Sequence, residues 1–171
     1  AGRGLHILAE AATGNSATEA PEPEMEMPAT GKSEYRNPAR EIGEEYRVAS
    51  FSVSDDDADQ IYQTEYKHVL EQMVDHVLEI EGPIYEDMLI ERIARAHKKE
   101  RAGRIIQDIV TGAIAGRHPS ISEDGRKVVF HRSMDVMGLV AYRPARSDWR
   151  SHRDIPLIEL ASLALPLVRK A

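Results

Sequence analysis

The chain has 171 residues, a formal net charge of −7 and no cysteine. The lack of cysteine excludes disulfide bonds and cysteine-ligated zinc or iron–sulfur sites, and it fits a reducing compartment such as the cytoplasm. Apolar residues make up 42% and charged residues 30% of the sequence, and no apolar run approaches the roughly 20 residues that a membrane span needs. We therefore expect a cytoplasmic globular protein, either one domain with extensions or two small modules, and no membrane partner.

Charge is distributed unevenly along the chain. Residues 1–85 carry 6 Lys/Arg and 18 Asp/Glu, whereas residues 86–153 carry 14 and 9. The acidic half would repel nucleic acid, and the basic half could attract a polyanion. This split makes DNA a candidate partner of the second half.

Residues 1–45 are predicted to be a linker or low-complexity tail. The stretch 20–28 (APEPEMEMP) is rich in breakers and poor in core-forming residues. The chain also begins without methionine, which fits either a segment of a longer polypeptide or the removal of a tag. The globular domain is then expected over 46–171, beginning with a short strand at 47–53 and a solvated turn at 55–57.

Three amphipathic helices are predicted in the middle of the chain. Apolar residues recur every three or four positions from Tyr66 to Leu78, and Gly82-Pro83 ends this first helix before an extended bridge at 84–85. Two acidic residues then favour a helix start at 86. The second helix has an inner stripe of Leu89, Ile90, Ile93, Ala94 and His97. After a turn at 98–100, the third helix is expected over 101–115, with Ile105, Ile106, Ile109, Val110 and Ile114 facing inward and Gly116 as C-cap.

An Asp-Gly pair at 124–125, between two short β-type runs, predicts a β-hairpin. Helix, short strand, helix, turn, helix and hairpin form the order of a winged helix, a helix-turn-helix with a two-stranded wing. We therefore predict a mainly α (α+β) fold with a winged-helix-like core over 66–132. A short strand at 139–142, an arginine-rich loop at 143–153 and an extra C-terminal helix over 154–171 follow, the helix being capped by Asp154 and ended or kinked at Pro166.

Basic and amide side chains occupy the two places that a winged helix uses on DNA, the start of the third helix and the wing tip. The candidate DNA-binding residues are Lys98, Lys99, Arg101, Arg104, Gln107, Arg126 and Lys127. Asp108 on the same face would oppose phosphate, and an ordinary solvated surface carries similar charges, so this alternative stays open. Trp149 could stack on a base, but we expect it to dock its loop onto the core.

Motifs for catalysis are absent from the sequence. No nucleophile elbow, phosphate-binding loop or closely spaced histidine pair occurs among its residues. We therefore expect no catalytic residue, no metal site and no cofactor, and do not expect this chain to be an enzyme by itself.

Several stretches resemble a domain of unknown function found at the C-terminal end of large bacterial superfamily-I DNA helicase-like proteins. They are 46–49 (YRVA), 81–87 (EGPIYED), 92–96 (RIARA), 101–105 (RAGRI) and the region near 153–156 (RDIP). The resemblance implies a multidomain ATP-dependent DNA helicase as the parent, with its motor upstream and no assigned catalytic residue in this domain. The chain departs from the family at Lys98-Lys99, where family members often have glycine and an apolar residue.

Two functions remain open at this stage. One is a non-catalytic accessory domain of a DNA helicase that binds DNA through the third helix and wing. The alternative is a protein–protein interaction or oligomerisation module, which docks onto the upstream helicase domains of the same polypeptide or onto a second copy. A continuous positive surface over the third helix and the wing would favour DNA, and an interrupted one would favour protein.

Overall fold

The computed structural model describes residues 43–168 except 52, 139 and 147, with side chains up to residue 164. The predicted tail thus lies, up to residue 42, outside the described residues. The helices are α1 (Lys67–Glu81), α2 (Glu86–Ala96), α3 (Arg104–Ile114) and α4 (Leu157–Val168), and the strands are β1 (Ile84–Tyr85), β2 (Ser120–Glu123) and β3 (Arg126–Val129). Short 3-10 turns lie at Asp55–Asp57, Gln60–Tyr62, Thr64–Tyr66 and His152–Asp154. The predicted mainly α (α+β) class is confirmed.

In the described part of the chain, none of the helices has both the length and the apolar character needed to cross a membrane.

The apolar stripe predicted for α1 is buried as expected. Its members Leu70, Met73, Val74, Val77 and Leu78 are all at most 1% exposed. The helix ends at Glu81 because Gly82 follows, and a Cβ at that position would overlap the carbonyl of Leu78. The stripe packs against α2 and α3, so one core lies between the three helices.

The strands form an antiparallel sheet in the order β1-β3-β2. Ser120 pairs with Val129 across the hairpin, and Ile84 of β1 pairs with the same Val129 from the other side. The hairpin turn has positive φ at both Asp124 (47°) and Gly125 (77°), which is the signature of a type I′ turn. The predicted hairpin is confirmed, and from α1 to β3 the elements follow the order expected from the sequence.

Several local predictions are wrong. The third helix begins at Arg104 rather than 101, because Gly103 is extended (ψ 166°) and acts as its N-cap. Ile105 is 65% exposed instead of inward-facing, because the stripe that meets the core runs through Ile106, Val110 and Ala113, one position farther around the helix.

The predicted strands at 47–53 and 139–142 are also not found among their described residues. Residues 43–46 lie beside 142–144 instead, where Gly43 N donates to Tyr142 O (2.6 Å) and Tyr46 N donates to Pro144 O (2.8 Å). At the C-terminus, Asp154 does not cap α4; the backbone N–H groups of Leu157 and Ile158 donate to Glu123 of the hairpin (2.7 and 3.0 Å). Pro166 does not end α4, since the helix continues through Val168.

Candidate interaction surface

The seven predicted DNA-contacting residues lie in three places. Arg101, Arg104 and Gln107 are exposed at or near the N-terminal end of α3. Lys98 and Lys99 lie in the turn that precedes them, and Arg126 and Lys127 begin β3 at the hairpin tip. What each group can bind depends on the charges that surround it.

The two turn lysines are paired with acidic residues of the N-terminal segment. Lys99 Nζ lies 2.6 Å from Asp59 Oδ1 and 5.7 Å from the ring centre of Tyr62, and this hydrogen bond raises the pKa of Lys99. Lys98 Nζ is 3.9 Å from Asp55 Oδ1. The acidic half of the sequence therefore folds back and partly neutralises the turn.

The two basic residues of the hairpin, Arg126 and Lys127, contact acidic residues at the start of α2. Arg126 donates to both carboxylate oxygens of Asp87 (2.7 and 2.8 Å) and to the carbonyl of Arg153 (2.7 Å), and its guanidinium lies 3.6 Å from the ring centre of Tyr85. Lys127 Nζ is 3.0 Å from Glu86 Oε1. The two acids that begin α2 thus hold the hairpin against it.

The exposed side of α3 carries both charges around an apolar residue. We call the surface formed by Arg104, Ile105 and Asp108 of α3, together with Arg101 just before the helix, the α3 face. Within the described residues, neither arginine side chain and neither carboxylate oxygen of Asp108 takes part in an ion pair or hydrogen bond. Gln107 donates one side-chain N–H to the carbonyl of Ala102 (2.9 Å), which leaves its second N–H and its carbonyl oxygen for a ligand.

Two surface grooves flank α3, and Asp108 lines both. The groove between α2 and α3 is lined by five carboxylates and two arginines: Glu86, Asp87, Glu91, Glu100 and Asp108, with Arg95 and Arg101. The groove on the other side is mainly apolar and is lined by Tyr62, Leu70, Ile109 and Gly112 among others. A continuous positive surface is therefore absent from the described residues around α3 and the hairpin.

A buried carboxylate that sequence reasoning missed lies at the end of α1. Glu81 is fully buried and accepts hydrogen bonds from the Tyr46 hydroxyl, from Ala49 N (3.0 Å) and from Arg92 Nε (3.2 and 3.3 Å). These bonds hold the entering segment against the core. A signal was present, because Glu81 continues the apolar stripe three residues after Leu78.

A second buried carboxylate joins α4 to the rest of the domain. Glu159 is fully buried and accepts from Arg150 (2.6 Å) and Arg143 (3.0 Å). Burial would raise the pKa of Glu159, but the hydrogen bonds from the two arginines outweigh it and lower this pKa. Arg143 also donates to the carbonyls of Glu81 (3.1 Å) and Gly82 (2.9 Å) at the end of α1, so the predicted arginine-rich loop has a structural role. In the same loop Trp149 is half-buried, and its backbone carbonyl accepts from Arg92 (3.4 Å).

A third cluster surrounds Asp75 of α1. Its carboxylate binds His118 Nε2 (2.7 Å), Arg117 (3.2 Å) and Arg132 (3.4 Å), which joins α1 to the residues that follow α3 and β3. Burial lowers the pKa of His118, against the opposing effect of Asp75. The cluster has the geometry of an internal brace between elements.

Residues 59–108 match the model of a family described as "Protein of unknown function (DUF3320)". The match covers α1, β1, α2 and the first part of α3, and it includes most of the stretches on which the resemblance above rests. No curated protein and no solved structure matches the chain. The comparisons thus identify a domain of unknown function within residues 59–108 and supply no activity or partner for it.

Proposed function

We propose that this winged-helix-like domain is a non-catalytic protein-docking module whose binding surface is the α3 face. The observation that supports this choice is the state of the predicted DNA-binding cations. Four of them, Lys98, Lys99, Arg126 and Lys127, are engaged by carboxylates of neighbouring elements. Only Arg101 and Arg104 remain without such a partner in the described residues.

The energetics of DNA binding make this pairing unfavourable for DNA. Affinity for DNA comes largely from cations that replace the counterions on phosphates. Here the paired cations would have to leave their carboxylates, and Asp108 with the acidic groove would then face the phosphate backbone. A protein partner carries no such penalty, because protein interfaces combine an apolar centre with a polar rim of both charges. Ile105, 65% exposed between Arg104 and Asp108, fits that description.

The partner class follows from the same features together with the resemblance. A surface with one exposed isoleucine and mixed charge suits another protein of mixed charge, either a domain of the same polypeptide or a second copy. The resemblance to the C-terminal domains of helicase-like proteins makes the upstream helicase domains one such candidate.

DNA remains a second candidate because Arg101 and Arg104 stand exposed where a helix-turn-helix contacts the major groove. With two free cations, binding would be weak, and log K would fall with log[salt] at a slope of about −2. Fluorescence anisotropy with duplex, forked and single-stranded DNA measures this slope. A much steeper slope that is lost in Arg101→Glu/Arg104→Glu would overturn the docking proposal.

A photo-crosslinking amino acid tests docking directly. We would place it at position 105 and, as a control, at position 137 in a distant loop, where Met137 is 87% exposed. The proposal expects a crosslink from position 105 to one defined polypeptide in the native cell and none from position 137. Equal crosslinking from both positions, or none from 105, contradicts it.

A further inference from the structure

We infer that the partner of the α3 face is a second copy of this chain, with two α3 helices packed antiparallel about a twofold axis near Ile105. This inference rests on the proposed docking function and names its partner. Three observations support it: the order of charges along the α3 face, the lack of ion-pair partners for these charges among the described residues, and the space around the helix.

The α3 face is complementary to itself. Arg101 and Arg104 are basic, Ile105 is apolar, and Asp108 is acidic one turn later. A twofold axis at Ile105 sets the beginning of one helix against the later part of the other, so each Asp108 faces the arginines of the other copy. The two isoleucines meet at the axis, and the antiparallel helix dipoles also attract.

The charged groups of the α3 face are not satisfied within the described part of the chain. Arg104 and Asp108 are four residues apart on one helix, yet among the described residues they form no ion pair with each other or with another side chain. The other cations of the predicted site have found carboxylates on neighbouring elements. On the α3 face, side chains of opposite charge thus stand close together without pairing.

The surroundings of α3 leave room for a second helix. A ridge of one helix packs into the groove beside another, and a groove lies on each side of α3. At Gly112, farther along the same helix, no described atom outside its chain neighbours and the backbone of α3 lies within 4 Å of the position that a Cβ would take. Another chain can thus approach this helix without displacing side chains.

The expected dimer is weak. α3 has 11 residues and is about 16 Å long, so a contact centred on it is small compared with the roughly 1,600 Å² buried in a stable interface. We therefore expect a monomer–dimer equilibrium that depends on protein concentration.

Charge exchange between two variants tests the geometry. Sedimentation equilibrium of the full chain would compare the unaltered protein, Arg104→Asp, Asp108→Arg and an equimolar mixture of these two variants. Each variant alone sets like charges against each other at both symmetric contacts, and its dimer should dissociate about tenfold more readily. In the mixture both contacts become attractive, and a heterodimer at least as tight as the unaltered dimer should form.

The mixture separates contacts between copies from contacts within one copy. In each variant positions 104 and 108 of the same helix carry like charges, so recovery in the mixture can only come from pairing between copies. Arg146→Asp, in an exposed loop ion pair with Asp148, is the control and should leave the equilibrium unchanged. Circular dichroism verifies that every variant is folded.

Two results would overturn the inference. One is a chain that stays monomeric up to its solubility limit. The other is a mixture whose dimers dissociate as readily as those of each variant alone. If the chain is monomeric while position 105 crosslinks to a different protein, the docking function stands and only the partner is wrong. If position 105 crosslinks to nothing as well, both proposals fall.

Discussion

Glu81 is the side chain on which the attachment of the entering segment depends. It is fully buried, and its partner Arg92 is 15% exposed. Removing one member of a buried ion pair leaves the other charge uncompensated, which costs far more than an exposed pair contributes. The same carboxylate also holds Tyr46 and Ala49, so one residue governs both the core and the segment at 43–51.

We predict that Glu81→Gln lowers the free energy of unfolding by roughly 3 kcal/mol, because Arg92 loses its counter-charge. Urea denaturation at 25 °C measures this loss. Glu79→Gln is the matched control, since Glu79 is exposed on the same helix, and its effect should stay within about 0.5 kcal/mol. Equal losses in the two variants would show that burial of the carboxylate is unimportant.

A buried histidine makes stability depend on pH. His97 Nδ1–H donates to the carbonyl of Ile93 (2.8 Å), and Nε2 accepts from the Tyr66 hydroxyl (3.2 Å). Burial lowers the pKa of His97 from its ordinary value of 6.5, and the bond to Ile93 opposes this only in part. The folded chain therefore keeps this ring neutral at a pH where the unfolded chain protonates it.

The sign of the effect follows from proton linkage. Below about pH 6.5 the unfolded state binds the proton and the folded state does not, so the free energy of unfolding falls as the pH decreases. His118, whose pKa burial also lowers, acts in the same direction. Denaturation curves across this range should be less pH-dependent for His97→Gln than for the unaltered chain. The exposed His152→Gln should keep the original slope, and an unchanged slope in His97→Gln would disprove this assignment.

At the scale of elements, two glycines respond oppositely to the same substitution. Gly125 holds φ at 77° in the hairpin turn, where a side chain is strained. Gly112 lies inside α3, where its flexibility only weakens the helix and open space surrounds it.

We predict that Gly125→Ala destabilises the domain by about 1 kcal/mol, whereas Gly112→Ala stabilises it by about the same amount. Thermal or urea unfolding at low protein concentration, where the proposed dimer is dissociated, compares the two. Changes of the same sign would contradict the backbone geometry described here.

The elements that could be predicted from the sequence are those with local causes. Periodic apolar residues identify α1 to α3, and the Asp-Gly pair identifies the hairpin, because the relevant interactions lie within a few residues. The segments at 47–53 and 139–142 alternate like strands, yet their described residues form no strand. The backbone here is held by long-range bonds outside a ladder, such as that from Gly43 N to Tyr142 O. The start of α3 was misplaced because Arg101 and Ala102 are good helix formers, and only the extended Gly103 delays the first turn.

At the scale of the whole molecule, the candidate site shows the limit of sequence reasoning. The position of the basic residues, before and within α3 and at the hairpin tip, was predicted. Their pairing was not, since the carboxylates that bind Lys99 and Arg126 are Asp59 and Asp87, each about 40 positions away. Such distant pairing depends on the tertiary fold and leaves no local pattern.

The hairpin also supports the C-terminal helix. Glu123 of β2 accepts the first N–H groups of α4, so the hairpin supplies the cap that the helix lacks locally. We predict that Glu123→Ala lowers stability by about 1 kcal/mol and speeds hydrogen exchange at Leu157 and Ile158. Ser122→Ala, exposed on the same strand, should leave both amides protected, and unchanged exchange in Glu123→Ala would assign the cap elsewhere.

The pairing of β1 bears on how large a fragment can fold autonomously. Residues 59–108 contain β1, but its partner β3 begins at Arg126, and the core residues Val110, Ala113 and Ile114 also follow position 108. A peptide cut to the family match would leave the backbone groups of a buried strand unpaired and would open the core on the α3 side. The part of the chain that folds cooperatively is therefore longer than the segment 59–108 that the family model matches. An isolated 59–108 peptide should show little helical circular dichroism and no cooperative thermal transition.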